Sequence, residues 1–167
     1  STYDSKPLGA FGSFGCLSFH ATKNIIAGEG GALLVRDENC YLNAEMIREK
    51  GTDRSQFFRG EVDKYTWRTV GSSYLASEIT SALLLSQLTN TYLITSERKE
   101  IWNYYYQETE FLEKSGLLKR PSVPENCAHN AHIFYLVLEN HLNRDRIIEY
   151  MRDKNIQATS HYTPLHT

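Results

Sequence analysis

The stretch Gly15-Cys16-Leu17-Ser18-Phe19-His20-Ala21-Thr22-Lys23-Asn24-Ile25-Ile26-Ala27-Gly28-Glu29-Gly30-Gly31 decides how the rest of the chain is read. A short apolar run ends in polar residues and a single lysine. A glycine-rich turn follows, and then a second apolar run, Ala32 to Val35. This order predicts a strand, a loop with a lysine at its tip, a turn and a second strand. A lysine held between two buried strands is stripped of water, and its neutral amine is then free to attack a carbonyl. A solvated lysine on an ordinary surface loop is the alternative.

The 167 residues carry a formal net charge of −2, with 41% hydrophobic and 23% charged residues, enough for one ordinary domain or for parts of two. The near-neutral balance and the lack of a basic face give no footprint for nucleic acid. Cys16, Cys40 and Cys127 are odd in number and far apart, without a C-x-x-C pair. That argues against a disulfide framework or a zinc site and fits a reduced, cytoplasmic setting. No apolar run reaches membrane-spanning length, and no segment reads as a signal peptide. The chain opens without methionine and stops at Thr163-Pro164-Leu165-His166-Thr167, so it is expected to be part of a longer protein.

Outward from the lysine stretch, Asp37 is placed to cap a helix with Cys40, Ala44 and Ile47 on one face, stopped by Gly51. Residues 52–70 are polar, aromatic and irregular, and a loop of that length is expected to serve function or an interface. From Ser72 to Ser115 there is neither glycine nor proline. Ser77 or Ser73 can cap a helix whose Ile79, Ala82, Leu83, Leu84, Leu85 and Leu88 lie nearly all round, as in a buried helix. A bend is expected at Asn90-Thr91, followed by an amphipathic helix to Gly116. Beyond Pro121 and Pro124, a strand over His132–Leu138, a helix capped by Asn143 with Ile147, Ile148 and Met151 inward, and a strand over Ile156–Tyr162 suggest a small α/β unit.

Ser18-Phe19-His20-Ala21-Thr22-Lys23, together with Gly71–Leu88 and His161–His166, resembles the pyridoxal-phosphate sugar aminotransferases of the DegT/DnrJ/EryC1/StrS family. The resemblance implies an α/β chain of the fold type I (aspartate aminotransferase-like) group, present in part. Residues 1–90 would end the large cofactor-binding domain, 91–116 would form an interdomain helix, and 117–167 would begin a small α/β domain. It also implies pyridoxal 5'-phosphate as cofactor, a nucleotide-linked keto-sugar and an amino-acid donor as substrates, and a homodimer with sites at the interface. Residues 50–75 look most like a branch that acts on the 4-keto group of dTDP-linked 6-deoxyhexoses.

By the same resemblance Lys23 is the lysine that holds the cofactor and shuttles protons, and Ser18 and His20 belong to the cofactor site. The family's sugar dehydratases carry histidine where this chain has Lys23, which favours amino transfer. Ser73 stands where many members have an asparagine that reaches the neighbouring subunit's cofactor phosphate. Arg54, Arg59 and Arg68 are candidates for the nucleotide diphosphate because guanidinium matches phosphate in bidentate fashion, with ordinary pairing expected for at least two of them. His161, Tyr162 and His166 match a segment near the substrate cleft, or they pack at a domain edge. His161 and His166 have no third ligand at metal spacing, and His129 and His132 read as structural. The acidic residue that holds the pyridine nitrogen and the phosphate loop would precede Ser1. Residues 1–167 alone are therefore expected to be inactive and poorly soluble, with strands such as Cys16–Phe19 lacking sheet neighbours.

Overall fold

The computed structural model describes every residue except Asn140, His141, His161, Thr163, Pro164 and Thr167. Backbone contacts divide the chain into two units, Ser1–Ile101 with Val123–His132, and Trp102–Ser122 with Ile133–Thr167.

The first unit is built on two antiparallel pairings. Strands β1 (Thr2–Tyr3) and β2 (Lys6–Pro7) form a small sheet with the later β6 (Cys127–Ala128), in the order β2-β1-β6. Thr2 faces Ala128 and Tyr3 faces Cys127, which draws residues 123–132 back into this unit. Strands β3 (Phe14–Ser18) and β4 (Gly31–Val35) form the hairpin around Lys23, in register from Phe14 opposite Val35 to Ser18 opposite Gly31. Asp37 accepts a bond from the Asn39 amide at 3.0 Å and caps a single 3-10 turn, Glu38–Cys40, which runs directly into α1 (Tyr41–Arg48). The cap thus lies one turn before the α-helix it was expected to start.

Residues 52–70 contain a short helix, α2 (Arg54–Phe58), that the irregular sequence hides. Ser77 caps α3 (Glu78–Thr89) by accepting from the Thr80 amide at 3.2 Å. The helix stops where expected. Asn90 Nδ2 donates to Ser86 O and Thr91 Oγ1 donates to Leu88 O, so polar side chains take the last carbonyls before α4 (Thr91–Glu108) begins. Burial of α3 is the correction: none of its residues is buried, and Ile79 is 84% exposed. Its apolar faces have no cover of sufficient extent within the described chain, and periodicity reports only that a helix seeks cover.

The second unit gathers around Trp102. The indole Nε1 donates to Ile133 O at 3.1 Å, its ring stacks on Tyr106 with centroids 5.1 Å apart, and Phe134 meets it edge-on. Thr109 interrupts the expected helix to Gly116, leaving α5 (Glu110–Lys114) as a separate short segment. Arg120 lies over the Tyr106 ring and donates to Glu113 and to the Tyr106 carbonyl, fixing the chain after β5 (Leu118–Lys119). Only Val137–Leu138 of the expected strand at 132–138 is a strand (β7), paired antiparallel with β5. The reason is chemical. The carbonyls of Ala131 and His132 accept from Arg98, and that of Ile133 accepts from Trp102, so side chains replace a ladder partner. Helix α6 (Arg144–Asp153) is capped by Asn143, which accepts from the Arg146 amide, and Ile147, Ile148 and Met151 are its least exposed apolar residues. Residues 156–160 form no strand.

Candidate functional site

Lys23 lies on a loop that ties itself. Phe19 N donates to Gly30 O at 2.8 Å, Ala27 N to Phe19 O at 2.7 Å, Ala21 N to Gly28 O at 2.8 Å and Lys23 N to His20 O at 2.9 Å. Phe19 and Ala27 are buried beneath these bonds. Ser18 is the last residue of β3, opposite Gly31, and Lys23 lies in the loop that joins β3 to β4.

The Lys23 side chain is half-buried, and its ammonium makes no ion pair or hydrogen bond among the described residues. β3 has only Gly15 buried and β4 has no buried residue, so the expectation of a lysine between two buried strands does not hold within this chain. Ser18 Oγ receives a long bond from the His20 amide at 3.4 Å, which leaves its hydroxyl proton available to a ligand oxygen. His20 Nδ1 accepts from the Thr22 amide at 3.2 Å, so the ring proton sits on Nε2, facing Glu29 Oε1 at 3.4 Å. His20 therefore props the loop from inside.

The remaining expected residues fall elsewhere. Ser73 is exposed and pairs with Glu49 in an antiparallel bridge. Arg68 Nε donates to Asp53 Oδ2 at 2.5 Å, and Arg59 is held by Glu45 and Glu61. Two of the three candidate arginines are thus in ordinary pairs. The Arg54 guanidinium lies 5.1 Å from the Phe58 ring centroid. Tyr162 and His166 belong to the second unit, and His161 lies outside the described residues. Among the described residues no group of His, Cys, Asp or Glu could hold a metal ion, and no helix is long and apolar enough to cross a membrane.

Two groups escape sequence reasoning. Asp53 is 2% exposed and accepts from the Thr66 amide at 2.6 Å as well as from Arg68, and these bonds hold its carboxyl below the usual range. Asn24 bonds across more than a hundred residues of chain to Asn130 and His132. No spacing pattern signals either contact.

The DegT/DnrJ/EryC1/StrS aminotransferase family model matches residues 1–167. The chain belongs to that family. Among curated relatives, UDP-4-amino-4,6-dideoxy-N-acetyl-beta-L-altrosamine transaminase of Helicobacter pylori is 28% identical over 99% of the chain and 43% of its own length. Among solved structures, PseC of Helicobacter pylori, an aminotransferase involved in the biosynthesis of pseudoaminic acid, matches at TM-score 0.83 and 24% identity, over 99% of this chain and 43% of that one. GDP-4-keto-6-deoxy-D-mannose-3-dehydratase of E. coli with bound hydrated pyridoxal phosphate matches at TM-score 0.78 and 20% identity, over 93% and 42%. The chain spans about 43% of the length of the curated relatives it matches. Its fold is part of the fold type I pyridoxal-phosphate transferase fold, which hosts both transaminases and a dehydratase.

Aminotransferases of this family use pyridoxal 5'-phosphate. The residues present fit the group: an amine unpaired among the described residues, on a tied loop, that follows the strand-end serine Ser18, whose hydroxyl proton is not committed.

Proposed function

We propose that the chain carries the lysine half of a nucleotide-sugar aminotransferase site. The reaction moves an amino group from L-glutamate to the 4-keto carbon of a dTDP-linked 6-deoxyhexose, as in a dTDP-4-amino-4,6-dideoxygalactose transaminase serving surface polysaccharide or lipopolysaccharide synthesis. The observation that carries the reading is Lys23, an amine without a partner among the described residues, held on a loop tied by its own backbone hydrogen bonds.

Pyridoxal phosphate, when bound, supplies the electron sink for the bond cleavage. Lys23 anchors the cofactor through Nζ and then serves as the base and acid that carries the proton between the donor carbon and the cofactor. Ser18 donates its hydroxyl to the phosphate, with His20 fixing the strand end beside it. Ser73 reaches the phosphate in the partner's site, and Arg54 and Arg68 contribute to the nucleotide diphosphate. Arg68 keeps half of its side chain exposed beyond the Asp53 pair, which leaves guanidinium N–H groups for an oxygen ligand. Tyr162, His166 and His161 are assigned to the sugar by the family resemblance alone. A second copy of the protein covers the exposed apolar strip that includes Trp67 at 74% and Val70 at 90% exposure.

The test uses the full-length protein, purified with pyridoxal phosphate. The expected result is a visible band from lysine-bound cofactor, lost in Lys23→Ala, with amino transfer falling by at least about 10²–10⁴-fold. Supplied with glutamate, the wild type turns a dTDP-4-keto-6-deoxyhexose into the amino sugar faster than the UDP-linked counterpart. A wild type without the band sinks the enzyme reading and leaves a non-catalytic scaffold. A band with loss of water in place of amino transfer assigns other sugar chemistry.

A further inference from the structure

Asn24, next to Lys23, points its side chain away from the loop's own bonds. Its Nδ2 donates to the Asn130 carbonyl, which can only accept, so the amide orientation is set by chemistry. Oδ1 therefore faces His132 Nδ1 at 3.0 Å, and the imidazole must donate there. One side chain spans the carbonyl of one residue and the ring of another, both in the segment 129–132.

That segment is itself held in an unfavourable shape. Ala131 is buried with φ at +52°, the left-handed region that a residue with a Cβ avoids. Its amide donates to His129 Nδ1 at 3.2 Å. Burial, and Lys99 after it, lowers the His129 pKa and favours the neutral ring that can accept this bond. From α4, Arg98 donates to the carbonyls of Ala131 and His132, the latter at 2.9 Å. Strain of this kind persists only where the surroundings over-determine it. Here three side chains, His129, Arg98 and Asn24, converge on three consecutive residues, Asn130, Ala131 and His132.

We infer that Asn24 is a positioning residue: it latches the Lys23 loop to the braced segment 129–132 and so sets where the lysine amine stands. The inference rests on the reading of Lys23 as the cofactor anchor. The backbone bonds within residues 19–30 give the loop its shape. The Asn24 side chain ties that loop to a distant part of the unit. Lys23 itself adds no bond among the described residues, which leaves its amine uncommitted while its neighbour carries the restraint.

The experiment is amide hydrogen exchange and cofactor release in full-length wild type, Asn24→Ala and Asn24→Asp. In cofactor-free protein, Asn24→Ala is expected to raise exchange at residues 20–28 about tenfold, the scale of one or two lost net hydrogen bonds, with α1 and α3 unchanged. Cofactor release quickens by a similar factor. Asn24→Asp keeps the acceptor for His132 but sets an oxygen against the Asn130 carbonyl, and falls between the two. Wild-type exchange and release in Asn24→Ala overturn the latch. So does exchange raised equally across the unit, or loss of folding, because the contact would then hold the fold rather than the loop. Should wild type show no lysine-bound cofactor, the enzyme reading fails, and exchange in the cofactor-free protein still decides the latch.

Discussion

The Lys23 loop and the loop between α1 and α3 use the same backbone device for opposite ends. Gly28 and Gly51 both stand in left-handed conformation, at φ +82° and +78°. Around Gly28 a Cβ would meet nothing within 4 Å, while at Gly51 it would clash with the Thr69 carbonyl oxygen. The first loop turns in open space and presents an amine with no partner among the described residues. The second folds back on itself: Arg68 N and Thr69 N both donate to Gly51 O, and Asp53 gathers Thr66 and Arg68. One loop is built to offer a side chain, the other to lock a length of chain.

Three substitutions separate the two designs, in order of falling effect. Gly51→Ala meets both the left-handed strain and a backbone clash, and is expected to cost about 3–5 kcal/mol by urea unfolding of the full-length protein. A loss below about 1 kcal/mol would mean that the two segments of the lock do not approach as described. Asp53→Asn comes next, lowering the thermal midpoint by several degrees, because the amide presents a donor where Arg68 also donates. The acid limb carries the sign. The folded-state pKa of Asp53 is depressed, so its contribution is complete above the ordinary aspartate range near pH ~4 and drains away as pH falls below it. The wild type should lose its advantage over Asp53→Asn through that window, and an advantage that survives at lower pH rules out the ion pair as its source. Gly28→Ala carries only conformational strain, about 1 kcal/mol, with the cofactor band retained. A loss as large as that of Gly51→Ala would erase the distinction between an open turn and a packed one.

The hairpin, the Ser77 and Asn143 caps and the break at Asn90 were legible because each is decided by neighbours in sequence: apolar runs against glycine, an acceptor side chain against an amide three residues on. The strand expected over 132–138 shrank to Val137–Leu138 because Arg98 and Trp102, from a helix far back in the chain, take the carbonyls a ladder would use. Hydropathy cannot register such donors. The helix α2 was hidden for the opposite reason, its five residues being too few to show a period. For α3, all-round apolarity implied burial that no part of the described chain provides.

Local sequence was enough to set the order of the elements around Lys23 and the Ser18–Lys23 spacing that carries the family resemblance, since both depend only on near neighbours in the chain. Which charged groups are free and which are taken emerged only in the folded chain. Arg68 and Lys23 look alike as cations on loops, yet one is bonded to a carboxylate 2% exposed and the other to nothing among the described residues. Folding likewise brought Asn24, unremarked beside the lysine, to Asn130 and His132. Hydrogen bonds between distant side chains depend on directions that only the folded backbone sets, and no spacing along the chain encodes them.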